Sequence, residues 1–161
     1  MREAELSEVR LDHAVLRGSD LSKAKLDGAD LHKANLESAQ LPYAILRRAK
    51  LNRAKLRDAN MEFANLQHAN LSKSDMDSAN LKNADLSYAN LTGANLVGTD
   101  FCGANLQGAN LKGAKVKWDG RDLLRRAPTK AVFDTTIVLP DGKTWTHSTN
   151  VDKFTTHPAN R

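Results

Sequence analysis

An apolar side chain recurs at every fifth residue of this chain from Leu6 to Val116, and the register never slips. The frame runs through Leu31, Leu51, Leu71, Leu91 and Leu111, and it changes in size but never in polarity at Met61, Met76 and Phe101. Two residues before each of these lies a small side chain, nearly always Ala between Ala4 and Ala114, with Val9, Ser19, Ser74 and Thr99 as departures. A helix cannot use this period, because positions five apart rotate by about 140° and would spread leucine around the whole cylinder. A flat strand cannot either, since an odd spacing sends successive leucines to opposite faces of the pleat. The chain must therefore turn within every repeat. Ala-x-Leu reads as a very short strand pointing in, out and in, and the next two residues form a corner. Gly18, Gly28, Gly93, Gly98, Gly103, Gly108 and Gly113 fall in those corners, interspersed with Ser, Asp and Asn.

Stacked coils explain the strictness. Each Leu then lies over its equivalent one rung below, at the inter-strand spacing of about 4.8 Å, so Leu51, Leu71 and Leu91 should form one inner column. A single rung cannot stand alone: burying one Leu contributes about 1.5–3 kcal/mol, whereas ordering five residues of backbone costs on the order of 5–10 kcal/mol. Hydrogen-bonded ladders between coils must supply much of the difference. Small residues alternate with large ones because the interior of a narrow coil has no room for large ones alone. Aromatic residues make up only 5% of the chain, which suits a repeated Leu/Ala interior.

The segments ADLSYANLTGANL (84–96) and ANLQGANLKGA (104–114) resemble the pentapeptide-repeat proteins, whose motif is A(D/N)LXX, and the resemblance extends over residues 4–116. It implies an all-β fold, a right-handed quadrilateral β-helix of four pentapeptides per coil, rising to about 28 Å. Residues twenty apart would then share a face. The residue before the central Leu is often Asn or Asp, from Asp20 and Asp30 to Asn105 and Asn110, for which axial hydrogen bonding between stacked side chains gives a structural reason. Arg10, Val15, Lys25, Gln40, Ile45, Lys50, Lys55 and Lys115 break that position, mostly in the first half.

The repeat domain is expected over 1–118 and a capping segment over 119–161. Within the latter, Asp122–Ala127 suits a short helical turn stopped by Pro128. Ala131-x-Phe133 and Thr136-x-Val138 suit two further rungs in a new register, and Leu139–Trp145 carries a Pro-Asp-Gly tight turn. Trp118, Phe133, Trp145 and Phe154 are expected to cover the last rung. The same segment is similar to C-terminal tails of cyanobacterial-type pentapeptide proteins. No equivalent cap precedes the first repeat: truncation, a homodimer through the uncapped coil and a tolerated frayed end all remain open.

No catalytic residue is expected. His13, His32, His68, His147 and His157 lack metal-ligand spacing, and no phosphate loop, nucleophile elbow or HExxH is present. A leucine-filled interior leaves no preformed pocket, so neither cofactor nor metal is expected. Cys102 is the single cysteine and excludes an intramolecular disulfide. With no apolar run long enough to span a bilayer and no signal-like N-terminal stretch, no membrane association is expected and the cytoplasm is the default compartment. Well-characterised members of the family mimic duplex DNA with an acidic rod and protect type II topoisomerases, but a net charge of +5 argues against that role. Regular Thr arrays for ice binding and GGxGxD repeats for calcium are absent.

The expected function is a protein-interaction or scaffolding solenoid. Tyr43 and Phe63, twenty apart and beside Pro42, form one candidate contact surface. A column of His13, Lys33, Arg53 and Lys73, joined by Arg47, Arg48 and Lys50, forms a basic zone whose alternative role is nucleic-acid or anionic-surface binding. By contrast, Arg17, Glu37, Arg57 and Asp77 alternate in sign and should support one another axially.

Overall fold

The computed structural model describes residues 1–116 and 136–144. Trp118, Phe133, Trp145 and Phe154, expected to form the cap, lie outside the described residues, as does the helical turn expected at 122–127. From Glu5–Lys25 through Asn95–Lys115, every backbone bridge is parallel and joins residues twenty apart. The chain is thus a four-sided solenoid in which each face contributes one bridged residue per coil. The first face carries Glu5, Lys25, Ile45, Asn65, Asp85 and Asn105; the second, Arg10, Asp30, Lys50, Asn70, Asn90 and Asn110. Val15, Asn35, Lys55, Asp75, Asn95 and Lys115 form the third, and Asp20, Gln40, Asn60, Asn80 and Asp100 the fourth.

One repeat accounts for its five N–H groups. Leu66 N–H donates to the Asp85 carbonyl one coil on (2.7 Å), and His68 N–H to Ser87 (3.0 Å). Asn70 N–H donates back to Ala49 (2.9 Å), and Ala69 N–H closes the turn on Leu66 (3.0 Å). The fifth belongs to the first corner residue, Gln67, and it donates to the Asn65 side-chain Oδ1 (3.1 Å). The same local bond recurs from Asp20 Oδ1 to Asn110 Oδ1 wherever Asn or Asp precedes the central apolar residue. These residues therefore satisfy the one corner donor that the coil-to-coil ladder does not reach. Axial side-chain bonds do occur, as from Asn80 Nδ2 to Asn60 Oδ1 (3.1 Å) and from Asn95 Nδ2 to Asp75 Oδ1 (2.8 Å), but the local bond is the general one. Gln40 breaks the Asn/Asp pattern two residues before Pro42, the residue with no N–H to satisfy.

The second corner residue is left-handed in every coil. Arg53 (φ 60°), Phe63 (φ 57°) and Tyr88 (φ 59°) occupy this region as fully as the glycines do. The closing hydrogen bond and the positive φ at the third position give a type II-like turn. An ordinary L-residue there costs roughly 1–2 kcal/mol, offset by the ladder bond its N–H makes to the next coil. No Val, Ile or Thr occupies this position between Glu3 and Gly113, as β-branching would require.

Leucines and alanines from Leu16 upward fill a continuous buried core, whereas Leu6, Leu11 and Ala14 in the first coil are only partly buried. The polar departures at alanine positions are bonded. Ser74 Oγ donates to the Leu71 carbonyl (2.7 Å), Ser19 Oγ to Leu16 (2.7 Å) and Thr99 Oγ1 to Met76 (2.8 Å).

At the other end the stack continues through a displaced segment. Val138 bridges Asn110 in parallel, Leu111 N–H donates to its carbonyl (2.7 Å), and Gly113 N–H donates to Pro140 (2.7 Å). Ile137 and Leu139 point inward and are buried. The register expected from Thr136-x-Val138 is therefore off by one: Thr136 is exposed, and Val138 takes the outward bridge position, because the two larger aliphatic residues flanking it fill the core. Gly142 N–H closes the turn on Leu139 (2.8 Å), and Val138 pairs antiparallel with Thr144. Leu139 N–H, which in any lower coil would reach upward, donates instead to Lys143 (2.8 Å), so the hairpin closes this part of the ladder on itself.

Candidate interaction surface

Identical corner geometry sends side chains twenty apart out of the rod in the same direction. Tyr43 and Phe63 sit at the corner between the fourth and first faces, their ring centroids 4.9 Å apart and planes within 4°. They are 54% and 43% exposed. Ile45, half-buried, lies beside them on the first face.

The opposite edge of the first face carries an aromatic pair that sequence reading missed. His68 and Tyr88 stack at 5.2 Å and 8°, and Tyr88 is 54% exposed. The signal was available, since the two are twenty apart in corner positions. Tyr88 leans over Gly108: a Cβ there would lie 2.5 Å from its Cδ1. Arg48 belongs to the same column, and with Glu8, Asp27, Gly28, Arg47, Gln67 and His68 it lines a shallow cleft. Gly28 opens that cleft by placing no side chain under the Glu8 carboxylate.

Of the residues expected in the basic zone, the structure separates two kinds. Arg47 Nε lies 2.7 Å from Asp27 and Lys50 Nζ 3.7 Å from Asp30, so both are neutralised within the rod. Lys33, Arg53 and Lys73 stack along the corner between the second and third faces and pair with no carboxylate among the described residues. The alternating column forms as expected, with Arg17–Glu37 at 3.8 Å and Arg57–Asp77 at 3.5 Å. The His32 ring meets His13 edge-on at 5.9 Å and places Nδ1 3.0 Å from the Asn52 carbonyl oxygen.

Asp20 is held below the usual carboxylate range, first by the Ser22 hydroxyl and then by the Ser22 N–H. Lys25 is held above the usual range by its hydrogen bond to Glu5, 2.7 Å away. Among the described residues no cluster of three or more His, Cys, Asp or Glu side chains could hold a metal ion. No helix there is long and apolar enough to cross a membrane. Cys102 is half-buried in a first corner position, its N–H donating to Asp100 Oδ1 (3.0 Å).

A four-sided coil with a leucine interior and ladders of surface side chains defines a solenoid repeat protein. The family model for pentapeptide repeats matches residues 2–41, 44–83 and 79–117, and the chain belongs to that family. Among solved structures it is similar to HetL of the cyanobacterium Nostoc sp. PCC 7120, a pentapeptide repeat protein involved in heterocyst differentiation regulation. The two are 30% identical over 90% of this chain and 82% of HetL, with a TM-score of 0.31. A pentapeptide repeat protein of the Arabidopsis thaliana thylakoid lumen is 30% identical over 69% of this chain and 67% of that one, with a TM-score of 0.29. QnrB1, a plasmid-mediated fluoroquinolone resistance protein, is 18% identical over 84% of this chain and 80% of its own, with a TM-score of 0.42. No curated protein matches the chain.

Proposed function

We propose that this chain is a non-catalytic scaffold, a right-handed quadrilateral β-helix that holds another protein against its first face. The observation that carries this reading is the parallel Tyr43–Phe63 stack, exposed beside Ile45, where two coils in succession present an apolar aromatic ring; among the described residues the other large exposed apolar side chains are Met1, Val9, Val15 and Tyr88. Aromatic side chains that are already ordered lose little freedom on docking, which is why they serve as anchors. The compartment in this proposal is the cytoplasm, and no cofactor takes part.

A DNA-mimic role would need a continuous acidic face. The net charge of +5 and the unpaired Lys33, Arg53 and Lys73 favour the scaffold instead.

The test is site-specific photo-crosslinking in cells, with the probe at position 45 on the first face or at position 35 on the opposite third face. The scaffold reading expects one discrete adduct from position 45, lost in Tyr43→Ser/Phe63→Ser and absent from position 35. Adducts indifferent to the face or to the aromatic pair would sink it.

A further inference from the structure

The second face offers a surface of different chemistry, bounded by two unlike edges. On one edge Lys33, Arg53 and Lys73 leave the backbone at φ 56°, 60° and 58°, so the three side chains project alike at the rung spacing of about 4.8 Å. Their N–H groups donate to Asn52, Ser72 and Thr92 at 3.1, 2.9 and 2.9 Å, which fixes the column. All three are exposed, and Lys55, also exposed and unpaired, stands beside them on the third face. In several other columns a cation stacks over an anion: Lys23 over Glu3, Lys25 over Glu5, Arg47 over Asp27, Lys50 over Asp30. This column alone among the four corners stacks cation on cation through three successive coils. Like charges held that close repel, and an anion supplied from outside relieves the repulsion.

The other edge carries Arg48, His68 and Tyr88, with the two rings parallel and Tyr88 exposed. Between the edges lie Lys50, Asn70 and Asn90. Asn70 and Asn90 spend Oδ1 on the N–H of Ser72 and Thr92, which leaves their amide nitrogens as donors. A row of cations, a floor of donors and an edge of aromatic rings is the combination that holds a single nucleic-acid strand: phosphates meet the cations while bases meet the rings. An acidic polypeptide would use the cations but has no bases to place against His68 and Tyr88, and a duplex keeps its bases stacked inside.

We infer that the second face binds single-stranded nucleic acid without sequence preference, its phosphates along Lys33, Arg53 and Lys73 and its bases against the His68–Tyr88 edge. The site is separate from the Tyr43–Phe63 stack, so either proposal can fail while the other stands.

The experiment measures fluorescence anisotropy of a labelled oligothymidylate between about 50 and about 200 mM salt. Three phosphate contacts predict a log–log slope of about −2 for a single strand. Lys33→Gln/Arg53→Gln/Lys73→Gln should lower affinity at least about tenfold and flatten that slope. The control Lys23→Gln/Lys25→Gln/Lys82→Gln makes the same change in net charge on other faces and should bind nearly as the parent does. Lys33→Arg/Lys73→Arg should retain binding, which separates loss of charge from loss of fold, and melting by circular dichroism checks every variant. Tyr88→Leu should weaken oligothymidylate about fivefold or more and leave inorganic polyphosphate binding unchanged. The inference is overturned by absence of binding at the lowest salt, by equal losses in the two glutamine triples, or by indifference of oligothymidylate to Tyr88→Leu.

Discussion

The lower and upper halves of the rod share one interior and differ in how their surfaces are stabilised. From Asn60 to Asn110 every bridge position is Asn or Asp, and each serves the local corner. From Glu5 to Lys55 the same positions hold mostly Glu, Arg, Lys, Val, Gln and Ile. The left-handed corners change over higher up. Gly fills all of them from Gly93 to Gly113, whereas those from Lys33 to Tyr88 carry side chains. The upper coils use residues that make the turn easy, and the lower and middle coils give up part of that ease to display charge and aromatic surface. Binding surfaces accordingly gather where local preference is least obeyed.

The largest effect should come from the interior and should ignore the division. Leu51→Ala and Leu91→Ala are each expected to cost about 2–5 kcal/mol in urea denaturation. A difference between them beyond the scatter of such measurements would mean that the two halves do not share one core.

Next come the corners. Gly93→Ala meets nothing closer than Lys73 Cγ at 3.5 Å and should show only the left-handed cost of roughly 1–2 kcal/mol. Gly108→Ala adds a Cβ 2.5 Å from Tyr88 Cδ1 and should cost more, with the excess removed by Tyr88→Ala. Equal melting temperatures for the two glycine variants would show that the tyrosine gives way freely.

A smaller effect tests the fifth donor. Lys55→Asn should stabilise by about 1 kcal/mol by supplying an acceptor for the Arg57 N–H. Gln40→Asn should give almost nothing, because Pro42 has no N–H to donate. A gain at position 40 as large as that at position 55 would count against the corner bond as the reason for the Asn/Asp pattern.

The smallest concerns acid. The Asp20 carboxyl titrates below its unfolded value, so its contribution is present above the ordinary carboxylate range and is lost as pH falls through the folded value. NMR titration should place the Asp20 midpoint below that of an unstructured Asp, and Ser22→Ala should raise it. A midpoint unmoved by Ser22→Ala would remove the hydroxyl as the cause.

The buried columns and the bend within each quintet were legible because burial enforces them: Leu51, Leu71 and Leu91 could not be polar in any stacked coil. The period alone could not reveal the number of sides, which came from the family resemblance and appears in the structure as bridges twenty apart. The corner glycines signal a left-handed turn, but its extension to corners such as Lys33, Arg53, Phe63 and Tyr88 was hidden, because those side chains carry no positive signature for that conformation. The axial bonds expected of Asn and Asp form at several positions, but their more general role was not legible, since it depends on a donor two residues later that the sequence does not display. Ile137 and Leu139 were missed because a single outlying rung has no neighbours from which to read its phase. The surfaces followed from counting in twenties, which found Tyr43 with Phe63 but was not carried on to His68 with Tyr88.

Because one lap of the chain takes twenty residues, length and orientation can be edited independently. Excising twenty residues from the middle would shorten the molecule by one storey and leave each wall continuous. Removing five between Tyr43 and Tyr88 would swing everything above the cut by about a quarter turn, bringing Tyr88 onto the corner of Tyr43 while the leucines still met leucines. Duplication and loss of such units can thus re-aim a binding surface with little disturbance to the interior.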